Sequence, residues 1–467
     1  MIDLKPLPLK VILKKIKGTV ARGGKDLTIE HVTYRQTPFR KTTLFFQREG
    51  RSSWSSKREL QPSVLVTDDP HYYLKRTEDY VVIVAVKNIE KAYSRFIKFY
   101  RSLFSLPVIG VTGTCGKTTT TEMIRQILSS KFKVQATEDG ENGSSMNIRY
   151  LTGIDDRTEA AVFELGTNAP GVIRRSCKYF QPNVGIILNI GVYHLQHCKT
   201  LEAYIQAKAE MLEGIKPGGT LILNADDENI KKISLRSFKG KVIYIGLGPH
   251  CDYRAERVKK AEGGITFRLY YKDKRYKVFV PGYGKHNVYN ALAAIAACHA
   301  IGMRIDESIA LLSKYKQMRM HMEFKKGVNG CTIIDDTWNC TPPSMKAALD
   351  VLKEQAKGRD MVAVLGFMPQ LGKEGQSQYT EMGKYVANMR VKKLILVDQK
   401  AKPIGLSAIK EGMDPRRVEF CHTAQEVYHA LLPHLNRKTL VLLKFPYYYV
   451  LMDIPPYQTL MRKIFAE

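Results

Sequence analysis

The sequence has only two tryptophans in 467 residues, and it contains neither a long apolar run nor a paired cysteine motif. Without about 18 uninterrupted apolar residues, no transmembrane helix is expected. Eight cysteines lie scattered with no CxxC spacing, which gives no support for a zinc knuckle or a disulfide framework. The basic stretch 1–18 lacks the apolar core and cleavage site of a secretory signal. These absences together predict a reduced, cytoplasmic protein.

Acidic residues are scarce relative to basic ones, with 45 Asp and Glu against 73 Lys and Arg and a formal net charge of +28. Such an excess favours an anionic partner, although a lysine-rich soluble surface explains it equally well. The basic residues are spread along the chain, and no recognition helix, RNP motif or basic tail is present. We therefore expect no nucleic-acid partner.

The composition is that of a globular protein, with 44% hydrophobic and 25% charged residues. The length suggests about three domains. We place them at residues 1–105, 106–318 and 319–467, because the pattern of the sequence changes near Pro107 and again near Met318.

Short apolar runs predict the strands of an α/β protein. In the first domain, strands are predicted at 27–34, 42–46, 63–68 and 80–86, before a helix over 89–104. After Pro107, apolar strands alternate with amphipathic helices, which is typical of a parallel sheet covered on both faces.

The later part of the chain continues this pattern. The segments 241–247 and 264–280 are predicted to be antiparallel strands, followed by a helix over 285–302. In the third domain, buried strands are predicted at 331–336, 361–367, 393–398 and 439–444.

The most specific segment is VIGVTGTCGKTTTTEMIRQIL (108–128), in which an apolar strand leads through a glycine loop into a helix. Glycines allow backbone N–H groups to surround phosphate oxygens, and a helix N-terminus adds positive potential. Lys117 can reach the β and γ phosphates, and the Thr118 hydroxyl can hold Mg²⁺. The spacing is the shorter G-x-x-G-K-T, because Val111 replaces the first glycine of the strict pattern. The loop predicts binding of ATP or GTP through Gly113, Thr114, Gly116, Lys117, Thr118 and Thr119.

Several motifs, in this order, resemble those of the Mur ligase family. They are TGTCGKTTT (112–120), FELGTNAPG (163–171), NIGVYHLQH (189–197), AKAEML (207–212), NADDEN (224–229) and GKHNVYNALAA (284–294). Two more, IIDDTWNCTPPSMKAAL (333–349) and AVLGFMPQLG (363–372), are most similar to the MurF type. The resemblance implies an α/β fold of three domains, with a central P-loop parallel-sheet ATPase domain and a Rossmann-like C-terminal domain.

The resemblance also implies a chemistry. ATP phosphorylates a substrate carboxylate, an amine attacks the acyl phosphate, and an amide forms with loss of phosphate. The implied catalytic residues are Lys117, Lys208 and His194, and the implied metal site consists of Thr118, Glu164, His194 and Lys208. Lys208 matches a lysine that the family carbamylates, which turns a cation into an anion. ATP and Mg²⁺ are the implied cofactors.

Further positions match residues that contact the nucleotide in the family. His286, Asn287 and Asn290 match those at the adenine ring. Arg319 and Asp336 match third-domain residues that reach the phosphates and ribose when the domains close, which also excludes water. The implied partners are a small or peptide carboxylate and an amine, which we expect to be anionic.

Three departures from the MurF pattern leave the substrates open. VTYRQ (32–36) replaces a TDSR-like segment, Phe367 replaces an acidic residue, and LLKFPYYYVLMD (442–453) retains only Lys444 of a KGSR segment. We therefore expect a MurF-like amide ligase acting on a different acid or amine. The alternatives are a true but divergent MurF of peptidoglycan synthesis, a poly-γ-glutamate or folylpolyglutamate type of ligase, and a non-catalytic nucleotide-binding protein.

Overall fold

The computed structural model describes residues 2–34, 36, 38–48, 57, 61–143, 148–446 and 456–465. The chain is divided into two compact units. The first unit comprises Met1–Gly110, Lys131–Leu165 and Arg175–Asn183, and the second comprises Val111–Ser130, Gly166–Arg174 and Val184–Glu467. The three domain boundaries taken from the sequence stay a prediction. The tyrosines of the cluster Tyr447 to Tyr449 lie outside the described residues.

The first hundred residues form a sheet of short strands with the order β1-β3-β4-β5-β6-β2. Its elements are β1 (Ile2–Pro8), α1 (Leu9–Ile16), β2 (Thr19–Arg22), β3 (Thr28–Thr33), β4 (Thr43–Phe46), β5 (Val64–Thr67), α2 (Pro70–Leu74), β6 (Val82–Ala85) and α3 (Ile89–Ser102). Strands β3 to β6 are parallel, and β1 and β2 pair antiparallel at the two edges. The four predicted strands and the helix α3 are confirmed.

Helix α3 shows how the sequence sets an element. The side chain of Asn88 accepts a hydrogen bond from the Lys91 N–H, which satisfies a donor that the first turn leaves unpaired. Apolar residues at helical spacing are buried on one side, among them Phe96 and Tyr100. The Tyr100 hydroxyl donates to the Ile154 carbonyl at 2.7 Å, within the same unit.

The central part of the chain contains the predicted alternation of strands and helices. Its elements are β7 (Val108–Thr112), α4 (Lys117–Leu128), β8 (Val134–Ala136), α5 (Ile148–Thr152), β9 (Ala160–Glu164), α6 (Val172–Phe180), β10 (Val184–Ile187), α7 (Leu195–Cys198), α8 (Leu201–Ala209), α9 (Met211–Gly214), β11 (Thr220–Asn224), β12 (Lys241–Gly246), β13 (Tyr253–Ala261), β14 (Gly264–Tyr271), β15 (Lys274–Pro281), α10 (His286–Ala300) and α11 (Ile305–Leu312). Within the first unit the strands are ordered β7-β9-β8. Within the second unit they are ordered β15-β14-β13-β12-β11-β10-β7.

One strand direction predicted from the sequence is wrong. Segment 241–247 is predicted to be antiparallel, but β12 runs parallel to both β11 and β13. A short apolar run carries no direction, because the connection before it decides at which end of the sheet the strand begins. The prediction is confirmed for 264–280, where β14 and β15 pair antiparallel. Strand β13 is not predicted by the sequence pattern, because its half-exposed residues alternate with charges.

The C-terminal part contains a second α/β sheet, with the order β16-β17-β21-β18-β19-β20. Its elements are β16 (Glu323–Lys326), β17 (Thr332–Asp335), α12 (Pro342–Ala356), β18 (Asp360–Leu365), α13 (Gly375–Asn388), β19 (Lys393–Val397), α14 (Lys402–Lys410), β20 (Val418–Cys421), α15 (Ala424–Leu431), β21 (Thr439–Lys444) and α16 (Pro456–Ile464). Its strand pairs are parallel except β16 with β17. The four predicted strands are confirmed.

Both faces of this second sheet are buried. Along β18, Ala363 and Leu365 belong to the core on one side of the sheet, whereas Val362 and Val364 belong to the core on the other. This alternation explains why the strand is a continuous apolar run in the sequence.

Candidate active site

The phosphate-binding loop lies between β7, whose residues are all buried, and α4. Gly116 ends the loop with a φ of 79°, a conformation that favours glycine. A Cβ atom at this position would lie 2.5 Å from Oδ1 of Asn290, so the Asn290 side chain would have to move to accommodate it. Among the described residues no side chain caps the N-terminus of α4. The first N–H groups of the helix can therefore bind an anion.

Asn189, in the segment that follows β10, holds the loop in place. Its Oδ1 accepts hydrogen bonds from the N–H groups of Thr114 at 3.1 Å and Cys115 at 2.9 Å. Its Nδ2 donates to the Cys115 carbonyl at 3.0 Å. Asn189 belongs to the motif NIGVYHLQH (189–197), but the motif alone does not single this residue out. The available signal is its position, a polar residue just after a buried parallel strand, where such sheets place their sites.

The motif NADDEN (224–229) supports the segment that carries Asn189. Asp227 accepts a hydrogen bond from the Ile190 N–H at 3.0 Å, and Asn229 donates to the Ile190 carbonyl at 2.7 Å. Asn224 donates to the Leu188 carbonyl at 3.0 Å. These bonds fix the backbone on both sides of Asn189.

Lys208 lies directly beneath the loop and is 1% exposed. Its Nζ donates to Thr112 Oγ1 at 3.1 Å and to the Gly113 carbonyl at 2.9 Å. The ammonium group also lies 5.2 Å from the centre of the Tyr204 ring. The structure therefore brings the predicted Lys208 into contact with the predicted loop.

His194 belongs to the second unit and lies in the left-handed region with a φ of 56°. Burial, together with the charges of Lys208 and Lys117, lowers its pKa to about 3. Its Nδ1 is buried without a hydrogen bond among the residues that the structure describes. The side chain of Gln370 lies beside it, but Gln370 Oε1 is likewise unpartnered. A neutral imidazole with a free, buried nitrogen fits a metal ligand.

The other residues predicted to be catalytic or to hold the metal are Lys117, Thr118 and Glu164. Lys117 and Thr118 begin α4 in the second unit, and Lys117 Nζ donates to the Thr114 carbonyl at 3.2 Å. Glu164 belongs to the first unit, where it is buried at the end of β9 and accepts a hydrogen bond from Asn142 at 2.5 Å. In the described parts of the chain, no three His, Cys, Asp or Glu side chains form a metal cluster by themselves. A Mg²⁺ ion that is held largely by phosphate oxygens and water does not require one.

The residues predicted to meet adenine lie at the start of α10. Asn287 and Asn290 are both buried, and Asn290 Nδ2 donates to Asn287 Oδ1 at 3.3 Å. Asn287 also donates to the Tyr283 carbonyl. Burial lowers the pKa of His286, and the opposing charges of Asp336 and Lys444 affect this pKa more weakly.

The two predicted residues of the C-terminal domain differ in their surroundings. Asp336 is buried and accepts hydrogen bonds from Lys444 Nζ at 2.6 Å and from the Met322 N–H at 3.1 Å. Lys444 is buried at the end of β21. Arg319 is exposed, and its backbone carbonyl accepts a hydrogen bond from His321.

Within the second unit, the central and C-terminal elements meet next to His194. The Leu195 N–H donates to the Gln370 carbonyl at 2.9 Å. A Cβ atom on Gly191 would lie 2.5 Å from the Pro343 ring. The motif AVLGFMPQLG (363–372) is thereby placed beside the loop that carries His194.

The second unit thus contains a phosphate-binding loop with the buried Lys208 beneath it and an adjoining C-terminal α/β sheet. Residues 111–298 match the Mur ligase middle domain, and residues 319–444 match the Mur ligase, glutamate ligase domain. The chain belongs to the Mur ligase family.

The similar proteins extend this likeness over almost the whole chain. The UDP-N-acetylmuramoyl-tripeptide–D-alanyl-D-alanine ligase of Bacillus subtilis is 28% identical over 93% of this chain and 94% of its own length. The crystal structure of MurF from Acinetobacter baumannii superposes with a TM-score of 0.86 at 23% identity, covering 99% of each chain. MurF from Thermotoga maritima in complex with ADP gives a TM-score of 0.79 at 19% identity, covering 93% of this chain and 98% of that one.

These comparisons confirm the fold class and the MurF-like ligase activity predicted from the motifs. The Thermotoga maritima structure was determined in complex with ADP, and the Bacillus subtilis relative is named for a UDP-linked tripeptide and D-alanyl-D-alanine. In the described part of the chain, no helix has the length and apolar character needed to cross a membrane.

Proposed function

We propose that this ligase joins D-alanyl-D-alanine to the carboxylate of UDP-N-acetylmuramoyl-tripeptide. The observation that carries the proposal is the similarity to the Bacillus subtilis enzyme of that name, which spans 93% of this chain. A likeness of that extent includes the first domain as well as the nucleotide-binding core.

In this proposal the chain's own groups position the phosphates of ATP. The N–H groups at the start of α4 and the Lys117 ammonium face the β and γ phosphates, and the Thr118 hydroxyl holds Mg²⁺. Mg²⁺ supplies neutralisation of the charge on the transferred γ-phosphoryl group. His194, whose low pKa keeps it neutral, serves as one metal ligand, and Glu164 remains the other expected ligand.

Lys208 is proposed to be carbamylated. The Lys208 ammonium first loses a proton to water. The neutral amine nitrogen then attacks CO₂, a nitrogen–carbon bond forms as one carbon–oxygen π bond opens, and a second proton leaves to water. The carbamate nitrogen keeps one hydrogen, which can still donate to the Gly113 carbonyl that Lys208 contacts at 2.9 Å. The change replaces a buried cation beside His194 with an anion, which favours a metal ion there.

Residues around α10 and the C-terminal sheet are proposed to complete the nucleotide site. His286, Asn287 and Asn290 border the adenine. Asp336, which Lys444 orients through the bond of 2.6 Å, faces the ribose, and the exposed Arg319 reaches the phosphates. Because the reaction consumes ATP and the cysteines of the sequence are scattered without CxxC spacing, we place the enzyme in the cytoplasm.

A second candidate is a ligase with the same ATP chemistry but a different amine. Phe367, at the position where the MurF pattern has an acidic residue, is 9% exposed and packs in the core of the C-terminal sheet. The ammonium group of Lys400 lies 5.0 Å from the centre of its ring. An apolar ring in place of a carboxylate removes one anionic group that could have bound the incoming amine.

The test is phosphate release from MgATP in the presence of bicarbonate. The proposal predicts release with UDP-N-acetylmuramoyl-tripeptide and D-alanyl-D-alanine together, and no release with either alone or with Lys117→Ala. Release only with another dipeptide or amino acid would establish the second candidate. The bicarbonate dependence tests the carbamate: mass spectrometry under CO₂ should detect it on wild-type protein and not on Lys208→Arg.

A further inference from the structure

A second cleft lies in the second unit, among residues that play no part in the proposed reaction. Its volume is about 420 Å³, which is in the usual range for small-ligand sites. It lies at β12, β13 and β14 and the segment between β12 and β13. Its lining includes three cationic residues, Lys241, Arg254 and Lys272, and three aromatic residues, Tyr253, Tyr270 and Tyr271.

The charge of this lining is predominantly positive. Lys241 and Lys272 are both exposed, and neither forms an ion pair with any residue that the structure describes. Asp252 is the one acidic residue of the lining, and its carboxylate already accepts a hydrogen bond from the Tyr244 N–H at 2.7 Å. With three cationic side chains against one carboxylate, the lining carries a net positive charge, and Lys241 and Lys272 present their ammonium groups to solvent.

Arg254 is fixed in the wall of the cleft. Its guanidinium lies 5.0 Å from the centre of the Tyr270 ring, and one terminal nitrogen is 2.8 Å from Glu256. The Nε atom is buried and has no hydrogen bond partner among the described residues. A guanidinium held against an aromatic ring is already positioned to bind phosphate oxygens, so less side-chain entropy is lost on binding.

The aromatic residues favour one kind of ligand over another. Arg254 and Arg275 both lie against Tyr270, at 5.0 and 5.3 Å from its centre, so two cations already occupy the surroundings of this ring. An unpaired nucleic-acid base needs a free aromatic face to stack on. The arrangement therefore favours recognition of phosphate by a small ligand over recognition of bases along a strand.

We propose that this cleft binds the diphosphate group of a small ligand, with Lys241, Arg254 and Lys272 as its cationic contacts. The site is separate from the P-loop and does not depend on the substrates proposed above. None of its lining residues belongs to the predicted catalytic, nucleotide or metal positions.

The experiment is calorimetric titration of the full chain with inorganic pyrophosphate at about 0.1 M salt, in a Lys117→Ala background that weakens the P-loop. We expect saturable binding, and at least about a tenfold loss of affinity when Lys241→Glu and Lys272→Glu are combined. The matched control combines Lys274→Glu and Lys277→Glu. These exposed lysines of β15 lie outside the cleft and change the net charge equally. The control pair should retain the wild-type affinity.

Several results would overturn the proposal. They are an equal loss in both charge-reversed pairs, the absence of saturable binding in the Lys117→Ala background, and binding to phosphatidylglycerol vesicles or an oligonucleotide without binding to pyrophosphate. The pair Lys241→Gln and Lys272→Gln removes the two charges without reversing them. If it keeps the wild-type melting temperature, its loss of pyrophosphate binding is not caused by misfolding.

Discussion

At the scale of single residues, Asn189 shows how one amide side chain can fix a phosphate-binding loop. It accepts from two successive N–H groups and donates to the carbonyl of Cys115. An aspartate could accept but not donate, and a lysine could donate but not accept. The Asn189 amide does both and serves all three backbone groups.

Replacing Asn189 with Ala should impair the use of ATP without unfolding the protein. The backbone groups of Cys115 lose their partner, and leaving such groups unpaired costs roughly 1–3 kcal/mol. We expect kcat/KM for ATP to fall by about 10- to 100-fold. Phosphate release at varied ATP concentration measures this. Asn388→Ala, on the exposed side of α13, is the control and should behave as wild type. An unchanged kcat/KM for ATP in Asn189→Ala would show that the phosphate-binding loop keeps its conformation without the Asn189 side chain.

His299 makes stability depend on pH. Burial lowers its pKa, and the nearby charges of Lys241 and Lys272 lower it further. Below a pH of about 6.5 an unfolded histidine gains a proton, whereas folded His299 resists protonation. The unfolded state then binds more protons, so stability falls as the pH falls below that value.

The corresponding variant is His299→Gln. Its melting temperature should fall less than that of wild type between about pH 7.5 and pH 5.5, because the group that resists protonation is gone. The exposed His71→Gln is the comparison and should follow wild type. Equal declines in His299→Gln and wild type would disprove this assignment.

At the scale of elements, helix α12 begins with a reciprocal cap. The Thr341 side chain accepts from the Ser344 N–H, and the Ser344 hydroxyl accepts from the Thr341 N–H. Pro342 and Pro343 occupy the first turn, where a missing N–H costs nothing. The cap fixes the start of helix α12, which follows Asp336 in the chain.

Thr341→Ala should destabilise the protein by about 1 kcal/mol, which is typical for loss of such a cap. The shift of the urea midpoint for loss of helical signal measures this. Lys353→Ala, at an exposed position of the same helix, should change stability by less than about 0.5 kcal/mol. Equal effects of the two changes would show that the cap contributes nothing.

The elements also show why the sequence was informative in one place and not in another. The strand β7, the loop and the helix α4 follow from local signals alone, since apolar run, glycines and helical spacing are adjacent in the chain. The direction of β12 does not follow from local signals, because it depends on where the preceding connection returns to the sheet. The charged segment β13 forms a strand because it pairs with β14, and not because its own residues favour a strand.

At the scale of the whole molecule, function requires the central and C-terminal elements of the second unit to approach closely. Gly191 packs against the rigid ring of Pro343, and an added Cβ would lie 2.5 Å from it. Neither Gly191 nor Pro343 can make room for this Cβ without a shift of its backbone. The absence of a side chain at Gly191 therefore sets how closely these elements approach each other.

In Gly191→Ala, the added methyl group should push the central and C-terminal elements of the second unit apart. We expect kcat to fall roughly 10- to 100-fold, because displacement of reacting groups by about 1 Å has effects of that size. Steady-state phosphate release measures it, alongside the melting temperature. Gly375→Ala, where a Cβ would meet only an ordinary contact at 3.7 Å, is the control. A fully active Gly191→Ala would show that this contact is not required for turnover.

The sequence by itself determined the class of fold and the phosphate-binding loop, because those features rest on residues that are neighbours in the chain. The ligase chemistry was implied by the resemblance of its motifs to those of the Mur ligase family, and not by spacing or residue type alone. Only the tertiary structure decided that Asn189 clamps the loop, that Lys208 lies beneath it and that Lys444 pairs with Asp336. It alone also brings Arg254, Lys241 and Lys272 to one cleft. These residues are far apart in the chain, and their contacts exist because strands from distant segments pair side by side in one sheet and place their ends and flanking loops together.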